Sequence, residues 1–169
     1  MAICLFCYIS STAQSYLGYS NQISELVDTN YRSIRNIAKG DALFLISIET
    51  QQGYYNVIHI KSNKEGFILR KHVQIERVVP QVEENIFTSI NKSEVKDPII
   101  KVKNSSKQVL TIKLNNNLFE IAPKEKRTIH LNPGKYYYRV SSQDIQPYYG
   151  EESLDNFHLY EWEFYIADM

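Results

Sequence analysis

Much of this chain consists of short segments in which side chains alternate in character at every second residue. In the segment Tyr54–Ile60, one set of alternate positions begins with Tyr54 and the other with Tyr55. Successive side chains of a β-strand point to opposite faces, so this period is typical of a strand and not of a helix. Turn residues such as Gly53 and the run 132–134 (Asn-Pro-Gly) separate the segments. The pattern predicts an all-β protein.

Composition supports strands and excludes several classes of protein. Tyr occurs 13 times and Phe 7 times in 169 residues, and aromatic side chains suit the pleated surface of a sheet. The formal net charge is zero, which argues against a general nucleic-acid binder because phosphates require a basic surface. No apolar run reaches the roughly 20 residues of a membrane-spanning helix. We therefore expect no nucleic-acid partner and no membrane span.

Residues 1–13 have the pattern of a secretory signal peptide. They carry no charged residue, include an apolar run from Ile3 to Ile9, and end in the small residues Ser11, Thr12 and Ala13. A buried N-terminal strand would also explain the apolar run. Export is the favoured interpretation and places the mature chain, from Gln14 onward, in the periplasm or outside the cell. Both cysteines would then be removed, which excludes disulfides and cysteine chemistry from the mature chain.

A break in the alternation near Pro80 divides the remaining chain into two predicted modules. The first covers residues 20–79, where several short strand-like segments are separated by turn signals. Residues 80–85 form a linker candidate that begins with a proline, which lacks a backbone donor. The second module covers residues 86–169.

Three motifs of the first module follow one another in a recognisable order. They are Lys39-Gly40-Asp41 before an apolar strand, Gly-Tyr-Tyr-Asn-Val at 53–57 and Lys-Glu-Gly-Phe-Ile at 64–68. Together they resemble the K-G-D, G-W-Y-x-V and G-K-x-G-W-V steps of the bacterial SH3-like (SH3b) domains. The N-terminal L-N-V-R-x-G-P segment of that family is absent, and Tyr54 and Phe67 stand where Trp is common. The resemblance implies a small SH3-like barrel with a binding role at the cell wall.

The second module predicts an antiparallel β-sandwich. About six alternating segments with short turns are typical of two packed sheets. The step Pro-Gly-x-Tyr-x-Tyr at 133–138 resembles the immunoglobulin-like or transthyretin-like sandwiches appended to exported bacterial proteins. Trp162, the one tryptophan of the chain, falls on the predicted inner face and is expected to anchor the core.

No motif of catalysis or metal binding is present in the sequence. The four histidines have no metal-ligand spacing, and no nucleophile elbow or phosphate-binding loop occurs. Glu161 and Glu163 share one face of a predicted strand, so a small carboxylate-dependent hydrolase is an alternative. Glu151, Glu152 and Asp155 cluster in a predicted loop and supply oxygen atoms that a divalent cation would accept. We expect a non-enzyme without metal or cofactor and leave the cation open.

Charge is segregated along the second module. Residues 92–139 carry an excess of Lys and Arg, whereas residues 140–169 contain Asp and Glu but no Lys or Arg. Interleaved strands would let these charges neutralise one another. A two-signed surface that docks a charged partner is the alternative.

Outward-facing aromatic side chains are the predicted ligand-binding residues. By alternation one ring of each tyrosine pair faces outward, and tyrosine is common at interfaces and on sugar-stacking surfaces. We assign ligand binding to Tyr54, Phe67 and Tyr137. The sequence therefore predicts an exported binding or adaptor protein of the bacterial cell envelope, with peptidoglycan or an envelope protein as partner. A structural subunit of a surface assembly is the remaining alternative.

Overall fold

The protein is an all-β molecule, which confirms the predicted class. The structure, a computed structural model, describes residues 14–82, 88–92 and 94–165. The predicted signal peptide therefore lies outside the described residues. No helix among them is long and apolar enough to cross a membrane.

The chain divides into two compact units, which are described separately. The first comprises the residues up to Val57 together with Gly66–Pro80, and the second comprises Ile58–Glu65 and the residues from Gln81 onward. The division after Pro80 falls at the start of the predicted linker. The short segment Ile58–Glu65 belongs to the second unit although β-strands of the first unit flank it in sequence.

The strands of the first unit belong to one seven-stranded sheet. They are β1 (Ser15–Ser20), β2 (Ser24–Val27), β3 (Ser33–Ile37), β4 (Ala42–Gln51), β5 (Tyr54–His59), β6 (Lys64–Leu69) and β7 (Val73–Val79). Their order is β3-β2-β6-β5-β4-β1-β7.

This sheet is open, whereas the resemblance implied a barrel. The order leaves β3 and β7 as edges, and no pairing between them closes the sheet within the described part of the chain. β1, which precedes the predicted start of the module, pairs with β4 on one side and β7 on the other, so β7 is the outermost strand beyond β1 and not a neighbour of β3.

The two tyrosines of β5, Tyr54 and Tyr55, lie on opposite faces of the sheet. Tyr55 is only 5% exposed and packs with Val57 and Ile68 in the core of the first unit. The neighbouring Tyr54 is half-buried, as expected for a residue on the opposite face. The positive φ of 83° at Gly53 lets the chain turn directly before this strand.

The second unit contains eight described strands in two sheets. The strands are β8 (Thr88–Asn91), β9 (Ile99–Asn104), β10 (Leu110–Leu114), β11 (Asn117–Ile121), β12 (Lys126–His130), β13 (Gly134–Ser142), β14 (Ile145–Leu154) and β15 (His158–Phe164). The sheet orders are β11-β10-β13-β14 and β12-β9-β15-β8. All of their recorded register pairings are antiparallel except that of β9 with β15, which is parallel.

The two sheets of the second unit enclose one hydrophobic core. Trp162 is 2% exposed, and its ring centroid lies 4.5 Å from that of Phe164 and 5.5 Å from that of Tyr138. Aliphatic residues of the facing sheet, including Ile112 and Val140, belong to the same cluster. Trp162 therefore anchors the core, as its place in the alternation predicted.

Candidate functional site

Two of the three predicted ligand-binding residues share one face of the first unit. Tyr54 lies on β5 and Phe67 on β6, which are neighbours in the sheet. The residues that follow them, Tyr55 and Ile68, both belong to the buried core. Alternation therefore directs Tyr54 and Phe67 to the outer face, where both are half-buried.

A third aromatic residue, Tyr31, joins this face from the turn between β2 and β3. The centroid of its ring lies 5.1 Å from that of Tyr54, with the planes tilted by 51°. Such tilted pairs are a favourable arrangement of aromatic rings. Tyr31 nevertheless remains 39% exposed. We call Tyr31, Tyr54 and Phe67 the aromatic surface.

The turn holds Tyr31 in an unusual backbone conformation. Its φ is +60°, in the left-handed region that residues with a Cβ rarely adopt. The carboxylate of Asp28 accepts hydrogen bonds from the backbone N–H groups of Asn30 and Arg32, at 2.8 and 2.9 Å. The N–H of Tyr31 itself donates to the carbonyl of Asp28. These bonds compensate a local strain that tends to occur at functional sites.

Sequence reasoning missed Tyr31 because the residue lies outside every alternating segment. The available signal was the turn-forming run Asp28-Thr29-Asn30, since Asp and Asn side chains hydrogen-bond to nearby backbone groups. That signal predicts a turn but not which ring the turn presents, nor the strand against which the ring packs.

The third predicted residue, Tyr137, lies in the second unit and is not part of the aromatic surface. It is 57% exposed on β13. The Lys135 ammonium lies 5.5 Å from the centroid of its ring and forms a 2.7 Å ion pair with Glu151. Tyr137 is thus an exposed ring beside a lysine that is already paired with Glu151.

The opposite charges of the second unit meet on neighbouring strands. The parallel register of β9 and β15 places Glu161 opposite Lys101 and Glu163 opposite Lys103. The Lys103 ammonium lies 2.6 Å from the Glu163 carboxylate. This arrangement favours mutual neutralisation of the two charged segments over a two-signed docking surface.

Two neighbouring groups engage the carboxylate of Glu163 at the protein surface. Lys103 and the Ser105 hydroxyl each donate a hydrogen bond of 2.6 Å to its carboxylate. These bonds hold the pKa of Glu163 below its ordinary value. A glycosidase-like acid needs the opposite shift, because it must keep its proton near neutral pH.

The acidic residues near position 151 do not form a loop. Glu151 and Glu152 lie within β14, and Glu151 pairs with Lys135. Burial raises the pKa of Glu152. Among the described residues, no group of three or more His, Cys, Asp or Glu side chains could hold a metal ion.

A serine and a histidine also meet in the first unit without completing a catalytic set. The Ser24 hydroxyl lies 2.7 Å from Nδ1 of His72. A nucleophilic serine requires a base that is itself oriented by a third group. No carboxylate of the described chain is hydrogen-bonded to the His72 ring, so this pair has the form of a structural hydrogen bond.

Comparisons with known proteins identify no relative of the chain. No protein-family model, no curated protein and no solved structure matches it significantly. The resemblance to SH3-like domains therefore depends on the three sequence motifs alone.

Proposed function

We propose that this chain is an exported, non-enzymatic binding or adaptor protein of the bacterial cell envelope. Its partner is peptidoglycan or an envelope protein, which it recognises through the aromatic surface. The observation that carries the proposal is the Tyr31–Tyr54 pair, with centroids 5.1 Å apart. A turn constrained by Asp28 presents one ring of this pair.

The chemistry of the pair suits both kinds of partner. Tyrosine combines a flat apolar ring with a polar hydroxyl, so it stacks on sugar rings and also anchors protein interfaces. The opposite face of β5 and β6 is occupied by the core, through Tyr55 and Ile68. Binding on this part of the sheet is therefore left to the outer face.

Export is supported by the position of the first strand. β1 begins at Ser15, two residues after Ala13, where the predicted cleavage site ends. Cleavage there would leave β1 intact between β4 and β7. A periplasmic or secreted mature chain is thus compatible with the fold of the first unit.

A structural subunit that associates by strand addition is a second candidate. The edge strands β3 and β8 support it, because four of the five residues of β3 and all four of β8 are exposed. An exposed edge offers unpaired backbone groups to a strand of another chain. The hydrolase alternative is less well supported, since Glu163 is held in an ion pair.

Co-sedimentation with purified cell-wall sacculi tests the proposal. The mature chain should sediment with sacculi or capture an envelope protein from extract. Tyr54→Ala should weaken this binding by roughly 1–3 kcal/mol, while Tyr19→Ala, an equally large truncation two strands away, should not. Equal binding by both variants would reject the aromatic surface as the site.

The same preparation distinguishes the alternatives. Binding that is lost when residues of β3 or β8 are replaced by proline, but kept in Tyr54→Ala, would favour strand addition. Activity on cell-wall substrates that disappears in a Glu161→Gln/Glu163→Gln variant would favour the hydrolase.

A further inference from the structure

A cavity of about 570 Å³ opens between the two sheets of the second unit. Leu110, Val140 and Tyr148 line it from one sheet, and Trp162 and Phe164 from the other. The cavity is open to solvent on one side. Its volume lies within the range of small-molecule sites, roughly 300–1,000 Å³.

Aromatic rings form much of the lining of the cavity. Phe164 packs against Trp162 at 4.5 Å and against Tyr148 at 6.2 Å between ring centroids. Trp162 and Phe164 are buried members of the core, and neighbouring core residues already restrict these two side chains. A ligand would contact these rings without first having to order them, which lowers the entropic cost of binding.

Some of the polar side chains that line the cavity already form hydrogen bonds within the described part of the protein, and one does not. The Ser142 hydroxyl donates to Gln108 at 2.6 Å, and the Glu163 carboxylate is held by Lys103 and Ser105. The hydroxyl of Tyr148 makes no hydrogen bond to another described residue. Burial raises the pKa of Tyr148, so its phenol stays protonated and can donate a hydrogen bond at neutral pH.

We propose that this cavity binds a small, uncharged and largely apolar molecule that carries one hydroxyl or carbonyl group. The apolar part fills the space between Val140 and the rings of Trp162 and Phe164, and the oxygen accepts a hydrogen bond from the Tyr148 hydroxyl. A carboxylate would lose its hydration without gaining a cation, because Lys103 is already paired with Glu163. This site is independent of the aromatic surface, which lies in the first unit.

A neutral fluorescent probe, N-phenyl-1-naphthylamine, tests the cavity in the full-length mature chain. Trp162 is the one tryptophan of the sequence and lines the cavity, so bound probe should receive energy from it. We expect saturable binding of one probe per chain, displaced by 1-octanol but not by octanoate. Absence of saturable binding, or equal displacement by octanoate, would overturn the proposal.

Variants locate the binding within the molecule. Ile145→Trp adds volume at a half-buried lining position and should weaken probe binding by about tenfold or more, as filling a pocket does. Leu118→Trp, at an exposed position on β11, is the matched control and should bind normally. Tyr148→Phe should weaken octanol by about fivefold, the effect of one neutral hydrogen bond. A cooperative thermal transition verifies that each variant is folded.

Two further results would also reject the proposal. Equal probe binding by Ile145→Trp and Leu118→Trp would place the probe elsewhere. Val82 and Tyr165 line the cavity and directly precede residues outside the described ranges. If the native chain does not bind the probe but Ile166→Ser or Ile86→Ser does, the occupant is the chain itself and not a ligand.

Discussion

Gly150 is the position where one added methyl group tests the packing of the second unit most directly. Gly150 lies opposite Tyr138 in the register of β13 and β14. A Cβ built on Gly150 would overlap the hydroxyl of Tyr138 and come within 2.9 Å of its Cε1 atom. Tyr138 is buried and its ring packs edge-on against Trp162, so it has little room to move away.

The expected cost of Gly150→Ala follows from these contacts. Forcing extra volume into a packed core typically costs about 1–3 kcal/mol, and the immobile ring places this case at the upper end. Replacing glycine by alanine within a strand stabilises the folded state by about 0.5–1 kcal/mol, because alanine reduces the conformational entropy of the unfolded chain. We therefore expect Gly150→Ala to lower the free energy of unfolding by about 2 kcal/mol.

A double-mutant cycle separates this clash from other effects. In a Tyr138→Leu background the added methyl group has space, so Gly150→Ala should cost little and the two changes should couple by about 2 kcal/mol. Gly134→Ala, in the same unit as Trp162, is the control, because nothing lies within 4 Å of its Cβ position and its cost should be the same in both backgrounds. Urea unfolding followed by Trp162 fluorescence measures all five variants and the parent. Equal costs of Gly150→Ala in the two backgrounds would refute the packing argument.

Three further predictions concern export, the orientation of Tyr54 and Tyr55, and the ion pair between Lys103 and Glu163. Protein recovered from its native cell should begin near Gln14, and N-terminal sequencing that finds the uncleaved start would contradict export. Tyr55→Ala should destabilise the chain by about 3–5 kcal/mol, as truncation of a buried aromatic does, whereas Tyr54→Ala should change thermal stability little. The hydrogen bond from Lys103 lowers the pKa of Glu163 in the folded state, so its contribution to stability is present above the unfolded pKa and is lost as the pH falls through the folded one. In Lys103→Met an NMR titration should show the Glu163 pKa rising, and an unchanged value would contradict the ion pair.

Local features of the sequence predicted the strands and the faces of their side chains. Alternation at Tyr54–Ile60 required one of Tyr54 and Tyr55 to face the core, and the resemblance to SH3-like domains assigned the core to Tyr55, which is buried. Alternation also placed Trp162 inside the sandwich. The predicted turns likewise depended only on the residue types within each turn. Asn115 has a φ of +51° between β10 and β11, as its residue type allows. These features depend on residues close in sequence, so no knowledge of the remaining chain was needed.

Strand partners and strand order were decided by the tertiary structure. Lys103 and Glu163 are 60 positions apart, and their ion pair exists because β9 and β15 align in parallel. The sequence showed opposite charges in two segments but not the register that joins them. The same limit applies to the acidic residues 151 and 152, whose alternation in β14 was not recognised.

The candidate sites show the same division between local and distant information. The sequence determined that the chain is built from short strands, that one ring of each tyrosine pair faces outward, and that Tyr54 is such a ring. Only the tertiary structure placed Tyr31 beside Tyr54, inserted β1 between β4 and β7, and left a cavity between the two sheets of the sandwich. The physical reason is that alternation and turn preferences act over a few residues, whereas ring contacts, sheet order and packing gaps depend on which distant segments can bury their apolar faces together.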